Sequence, residues 1–251
     1  MKKILLAFAV FLAAVSFSSK ASAVVDVDAR YWFTNLSSDI TASSGSIAGT
    51  NVDFVNDLGV DETKGFVEGR ITLELGSHKI RYAFVPLKWD ATSTLAQQVI
   101  FGGKTYTAST PVESELNVNY HRLGYEYDII DMLDNHLGFI FELKYFDGNA
   151  RLKATSLGLD ENENFNVPIP TVGVSAQVSL PFLFSVGGEV TGITLGGNAY
   201  LVDGEAAFNF KPAPFVVVSG GYRLFKIHVE KDLDKGDLTV KGPFLNVRAD
   251  F

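Results

Sequence analysis

Phe66-Val67-Glu68-Gly69-Arg70-Ile71-Thr72-Leu73-Glu74-Leu75 alternates without a break. Val67, Gly69, Ile71, Leu73 and Leu75 fall on one face, and Glu68, Arg70, Thr72 and Glu74 on the other. A period of two with this contrast describes a strand with one apolar and one wet face. The pattern recurs on both sides of this stretch. Val25, Val27, Ala29, Tyr31 and Phe33 oppose Asp26, Asp28 and Arg30. Leu137, Phe139, Phe141, Leu143 and Tyr145 oppose Glu142 and Lys144. Val172, Val174, Ala176, Val178 and Leu180 oppose Thr171, Ser175, Gln177 and Ser179.

Ten such segments can be marked, near 24–33, 66–75, 79–90, 112–127, 137–148, 170–180, 182–195, 198–210, 215–231 and 238–251. Merging across Leu180-Pro181 or Gly196-Gly197 gives eight as the alternative. In the fourth segment Leu116, Val118 and Tyr120 have the opposite parity to Leu123, Tyr125 and Tyr127, which predicts a bulge near His121-Arg122. Pro86 and Pro243 predict similar breaks, because proline brings no donor to the ladder.

The chain opens on a secretory pattern. Lys2 and Lys3 precede an apolar run from Ile4 to Phe17, and Ala21-Ser22-Ala23 follows as a cleavage site. Residues 1–23 therefore read as a signal peptide and residues 24–251 as a single domain. The run is too short to cross a hydrocarbon core, which takes about 20 residues. Without Lys2, Lys3 and Lys20 the mature chain carries 18 basic and 29 acidic residues, a net charge of −11. Such an acidic chain has no electrostatic attraction for nucleic acid. There is no cysteine, which excludes disulfides, thiol chemistry and a lipid anchor on cysteine.

Links between segments alternate in length. Short turns fall at 76–78, around 128–136, at 180–181 and at 211–214. Longer or more polar links fall at 34–64, 91–111, 151–169, near 196–197 and at 232–237. Antiparallel hairpins with short turns at one end and long loops at the other are the pattern of transmembrane barrels. Aromatic residues gather towards segment ends: Tyr31, Phe33, Tyr82, Phe84, Trp89, Tyr125, Tyr127, Phe182, Phe184, Phe208, Phe210 and Phe215. Girdles at a lipid–water boundary have this distribution.

The last segment ends on Phe251, with Leu245, Val247 and Ala249 on the same face. It resembles the C-terminal signal by which outer-membrane barrels are recognised for assembly, departing from it at Pro243 and at the small Ala249. Together with the signal peptide and hairpin strands, the whole chain resembles the bacterial outer-membrane β-barrels, the class of the small OmpA-like and OmpW-like barrels, with no one family singled out. The resemblance implies an all-β, antiparallel, up-and-down transmembrane barrel in the outer membrane. It implies lipopolysaccharide, outer-membrane phospholipid and the barrel-assembly machinery as partners; oligomeric state is left open. A soluble secreted β-barrel binding protein, with its apolar faces turned inward, is the competing architecture.

The polar faces then line the lumen. The candidates are Asp28, Arg30, Glu68, Arg70, Glu74, Arg81, Glu115, Arg122, Glu126, Glu142, Lys144, Glu189, Glu205, Lys226, Arg248 and Asp250. Opposite charges in a narrow interior pair into a network that fills it; a wider lumen makes them the lining of a small-solute pore. The expected role is structural, with loops displayed at the surface, or that of a narrow pore, without enzymatic activity and with no cofactor indicated. Small outer-membrane barrels also include lipid-modifying enzymes and proteases with rim sites. The one pairing that suits such chemistry is His228 with Glu230, an oriented base without a nucleophile in the sequence beside it. Asp232–Asp237 is similar to a calcium loop but lacks the closing glutamate, with Pro243 in its place. Asp160, Glu161 and Glu163 read as a solvated loop tip. Link 34–64 is long, and Asp53, Asp57, Asp61 and Glu62 make its second half acidic, so a binding role is expected of it.

Overall fold

The computed structural model describes residues 23–41, 50–132, 135–231 and 234–251. The expected signal peptide (apart from Ala23) and positions 232–233 of the calcium-like turn lie outside the described residues. Ten long strands follow in order: β1 Ala23–Thr41, β2 Thr63–Leu75, β3 His78–Thr94, β4 Pro111–Met132, β5 Asn135–Ala154, β6 Leu159–Leu180, β7 Phe184–Thr194, β8 Ala199–Ala213, β9 Val216–Lys231 and β10 Asp234–Asp250. Each pairs antiparallel with its sequence neighbours, and β10 pairs back to β1 from Asp26–Asp250 to Thr41–Lys235. The sheet closes into a ten-stranded barrel, the form in which strands cross a bilayer with their backbone groups paired.

The strands overrun the predicted segments on one side. A strand needs about 9–11 residues to cross a membrane, and β4 and β6 have 22 each. The extra length lies at the end opposite the short turns 76–77, 181–183 and 214–215. Most of the predicted outer links 91–111 and 151–169 are therefore strand: a wall above the membrane, with only Thr155–Leu157 as a helical turn between β5 and β6. Asp160, expected in a loop tip, stands on β6 and pairs with Arg151 on β5 at 2.6 Å.

No bulge occurs at His121-Arg122. Arg122 pairs with Ala83 on β3 and Lys144 on β5 in unbroken ladders, and the β4–β5 register shifts only between Asp128 and Ile130. Parity changes because the apolar face changes sides. Nearer the short turns, Leu123 and Tyr127 of β4 face out and Arg122 and Glu126 face in. Further up, Tyr120 is buried inside while Asn119 is exposed outside. β5 does the same: Leu143 and Tyr145 face out beside buried Lys144, then Phe146 and Leu152 are buried inside. On β1, Tyr31 and Phe33 are exposed, whereas Trp32 and Leu36 are buried. Lipid surrounds the lower half, and water the upper.

Pro86 follows just above the last β2–β3 pair, Gly69–Phe84, and β3–β4 pairing continues through it. At Pro243 the β1–β10 ladder skips Phe33 and Thr34 without a change of register. Gly242 makes that skip possible. It has φ +158°, and a Cβ there would meet the Phe33 carbonyl oxygen at 1.8 Å. Its own carbonyl accepts from Trp32 Nε1 at 3.2 Å.

Candidate functional site

The lower interior is filled by a layer of ionised side chains. Arg30, Arg70, Arg81, Arg122, Lys144 and Arg223 meet Glu68, Glu126, Glu142, Glu189, Asp203 and Glu205. Six positive charges face six negative ones. Arg30 holds Glu205 through two parallel bonds of 2.6 and 2.8 Å. Arg223 holds Asp203 through two of 2.9 Å and reaches Glu68 with its remaining nitrogen. Arg122 bridges Glu142 at 3.0 Å and Glu189 at 2.6 Å, and Lys144 donates to Asp203 at 2.8 Å. Buried charges persist where each is paired and hydrogen-bonded, and forked arginine–carboxylate contacts are the strongest of these.

Ten of the expected lumen residues belong to this layer. Glu74 and Arg248 face inward at its lower margin, with Asp28 and Asp250, around a polar vestibule of about 150 Å³. Two expectations are corrected. Glu115 stands on the outer surface of β4 and pairs with Lys88 at 3.4 Å. Lys226 is on the outer face of β9, its ammonium 5.6 Å from the Tyr200 ring. Asp203 and Arg223, at the centre of the network, escaped the sequence reading. Parity points to both. Asp203 is two residues from Glu205 on the same face, and Arg223 alternates with exposed Tyr222 and Leu224, a face that Lys226 cannot share.

Above the layer lies an apolar chamber of about 500 Å³. Leu87, Trp89, Phe146, Phe165, Phe225 and Leu238 are among its walls. Its floor meets the layer where Arg223 lies over the Trp32 ring at 4.8 Å and Tyr120 donates to Asp203 at 2.9 Å. Its roof is the described part of the link between β1 and β2. Asn51–Val52 pair with Ile40 and Thr41. Asp53 then folds the chain by accepting from the backbone nitrogens of Val55 (2.8 Å) and Asn56 (3.0 Å). Phe54, Leu58 and Val60 turn down into the chamber. Gly59 has φ +70° and packs over Ser93, whose Cβ stands 2.9 Å from where a glycine substituent would sit. Part of the acidity expected of this link thus serves its own turn. A hairpin, Val99–Phe101 with Lys104–Tyr106, closes another side. Tyr106 anchors it by donating to the Leu152 carbonyl at 2.8 Å, and burial pushes its hydroxyl up to about 12.

The chamber wall is low at β7 and β8. β7 has 11 residues, about what a membrane crossing requires. It pairs with β6 only from Val172 to Leu180. Residues 159–171 of β6 therefore have β5 on one side and no β7 partner on the other. Pro168 and Pro170 fall on this stretch, where missing donors discourage further strand pairing. Inward-facing valines beside the gap are open: Val167 is 42% exposed and Val229 41%. Across the chamber, Trp89 is 2% exposed and Leu87 7%. The opening starts where the outer surface of β6 turns from Val172 and Val174 to Pro170, Asn166 and Asn164, at the upper margin of the apolar belt.

The histidines are dispersed. His228 pairs with Asp237 at 2.9 Å on the outer wall and stacks on Tyr200; Glu230, its expected partner, pairs with Lys235 instead. His78 and His121 bond Tyr125 and Tyr82. His136 lines the lower vestibule, its ligating nitrogen within 4.8 Å of carboxylate oxygens of Glu126 and Asp128. Lys79 at 3.0 Å and Arg81 at 3.2 Å already balance those two carboxylates. Trp89, expected in the aromatic girdle, is inside the chamber, whereas Tyr31, Phe33, Tyr82, Tyr127, Phe208 and Phe215 are exposed as expected.

On β10, Leu245 and Val247 are exposed, as is Phe251 after it, with Ala249 part-exposed between Val247 and Phe251. No protein-family model and no curated protein matches the sequence. Solved structures do match. The outer membrane protease OmpT from Escherichia coli superposes with a TM-score of 0.57 at 10% identity, over 93% of this chain and 99% of that one. The attachment invasion locus protein Ail of Yersinia pestis gives 0.38 at 10% identity, over 92% and 99%. Neisserial surface protein A gives 0.35 at 11%, over 93% and 100%. At such identity the likeness is one of fold. The chain is a closed, ten-stranded transmembrane β-barrel of the outer-membrane type.

Proposed function

We propose that this barrel is a receptor or carrier for a small hydrocarbon-rich molecule, held in the outer chamber and admitted over the low wall of β7 and β8. The observation that carries the reading is the chamber itself. A cavity of about 500 Å³ lies within the range of small-molecule sites, and its apolar lining sits on a charged floor. An ion-conducting lumen has no use for such a lining, and a purely structural barrel gains packing by filling the space. The gap in the wall starts at the membrane surface, where an apolar solute concentrates. Export by removal of residues 1–23, and assembly through the face of Leu245, Val247, Ala249 and Phe251, complete the proposal.

The chain has two tryptophans, Trp32 and Trp89. A Trp32→Phe variant, refolded into phospholipid vesicles, leaves the chamber as the only source of tryptophan emission. Titration with a brominated medium-chain alkane is expected to quench it saturably. Val118→Phe with Leu238→Phe, which fill the chamber, should abolish the saturable part. Quenching that rises linearly and is indifferent to filling would overturn the reading.

A further inference from the structure

The chamber lies just above the charged layer, so the first guest to weigh is an amphiphile with an acidic head on that floor. The contacts exclude it. Tyr120 stacks on Phe146 at 4.5 Å and tilts against Phe225 at 5.5 Å, and both phenylalanines line the space. The same Tyr120 meets the layer, with the Lys144 ammonium 5.7 Å and the Arg223 guanidinium 5.8 Å from its ring. Arg30 lies against the Phe244 ring at 3.9 Å. Arg223 and Lys144 have no exposed surface. Arg223 already donates to Asp203 and Glu68, and Lys144 to Asp203 and Glu142. A carboxylate arriving from above must part these rings and compete with acids already forked onto the same cations.

The walls give a polar group no other anchor among the described residues. Glu115 and Arg151 border the space but carry their charges to the outer surface, where Glu115 pairs with Lys88 at 3.4 Å and Arg151 with Asp160 at 2.6 Å. Trp89 Nε1 and Ser114 Oγ are enclosed in the wall and present no surface to the space. What the chamber does present is almost wholly carbon, with Leu116, Val118, Ile227 and Leu238 set among the rings of Phe146 and Phe165.

We infer that the chamber takes a hydrocarbon without any hydrogen-bonding group, and that an alcohol or acid of the same size is the poorer guest. The inference rests on the chamber reading and narrows it from hydrocarbon-rich molecules to hydrocarbons proper. A hydroxyl entering this space leaves its water and finds neither donor nor acceptor, and an ionised head loses far more. An apolar pocket discriminates against an added hydroxyl by up to about a hundredfold.

The test uses the whole mature chain in vesicles, in the Trp32→Phe background, with a bromoalkane quenching Trp89 as the displaceable probe. Decane, nonanol and octanoate, of equal heavy-atom count, compete for it, each corrected for its partition into the bilayer. Decane is expected to displace the probe at roughly 5- to 100-fold lower concentration than nonanol, and octanoate should not displace it. Val118→Thr and Val229→Thr each set a hydroxyl into the lining at nearly constant volume. At least one of them should narrow the gap between nonanol and decane several-fold while decane stays near its original affinity. Nonanol or octanoate competing as well as decane overturns the inference and leaves the chamber reading standing, as does a gap that both threonine variants leave unchanged. Saturable quenching that is absent from the start overturns both.

Discussion

Arg223→Met tests the charged layer at its most connected point. The guanidinium is fully buried, forks onto Asp203 with two bonds of 2.9 Å, and reaches Glu68. Methionine keeps much of the volume and removes the charge, so the six-against-six balance becomes five against six. Breaking one partner out of a buried ionic network costs about 3–5 kcal/mol, because the partners stay charged and dry. Asp203 keeps Lys144 at 2.8 Å, and Glu68 keeps Arg30 at 3.5 Å. That residual pairing puts the expected cost near the lower end, about 3 kcal/mol, or roughly a hundredfold in the folding equilibrium. Urea unfolding in vesicles, read by tryptophan emission, measures it. Adding Asp203→Asn restores neutrality, and the double variant should recover at least about 1 kcal/mol of the loss. The reasoning is falsified if Arg223→Met costs under about 0.5 kcal/mol, or if the two substitutions cost the sum of their separate effects.

Other consequences are simpler to state. Val167→Asp with Val229→Asp sets charge on both sides of the wall gap; the on-rate for a chamber probe, read by stopped flow, should fall several-fold while the affinity in detergent changes little. Unchanged kinetics would place the route elsewhere. Gly242→Ala drives a methyl into the Phe33 carbonyl, and the chain should fail to reach the compact, heat-modifiable band on gels. Tyr106→Phe removes the bond to Leu152 and should cost about 1 kcal/mol, seen as faster proteolysis between residues 99 and 106. Paired with Arg151, the exposed Asp160 carboxyl is held below the usual carboxylate range, first by hydrogen bonds and then by charge. A depressed folded-state value means that the clasp is intact above the ordinary carboxylate range and is lost only as pH falls through the depressed one. Cleavage near 155–158 by an acid-active protease should therefore stay slow through the ordinary range; a rise within it would contradict the pairing.

The strands of the membrane-crossing half were legible because lipid outside and charge inside impose a clean alternation. Phe66–Leu75 and Leu137–Tyr145 show it residue by residue. The upper half was hidden by the same rule. Above Tyr120 on β4 and Lys144 on β5, water replaces lipid outside and an apolar chamber replaces ions inside. The period of two continues, but its sign reverses. Read locally, the reversal suggests a bulge at His121-Arg122; read along the whole strand, it marks the height at which the surroundings change. Trp89 was assigned to the girdle for the same reason, since tryptophan suits a membrane boundary and a ligand chamber equally well. Which of Arg223 and Lys226 faces inward was decidable from parity alone. Their contacts were not, because Arg223 meets Glu68 across 155 residues of chain.

The reversal also explains why one barrel holds two unlike interiors. Where lipid surrounds the wall, both the outer face and the backbone are dry, and a set of matched ions is a way to fill the lumen with groups that satisfy one another directionally. Where water surrounds the wall, the outer face carries Asn117, Asn119, Asp147 and Asn149, and the upper barrel must bury apolar surface inward as soluble barrels do. A fully packed core would meet that need. Instead the inward residues include Ala150 and Ser114 among the aromatics, and space is left between them. Small side chains beside Phe146, Phe165 and Phe225 lose packing that larger ones would supply. The vacancy borders the stretch of wall where β6 has no β7 partner, so the proposed entry of an apolar guest would account for the lost packing and the opening together.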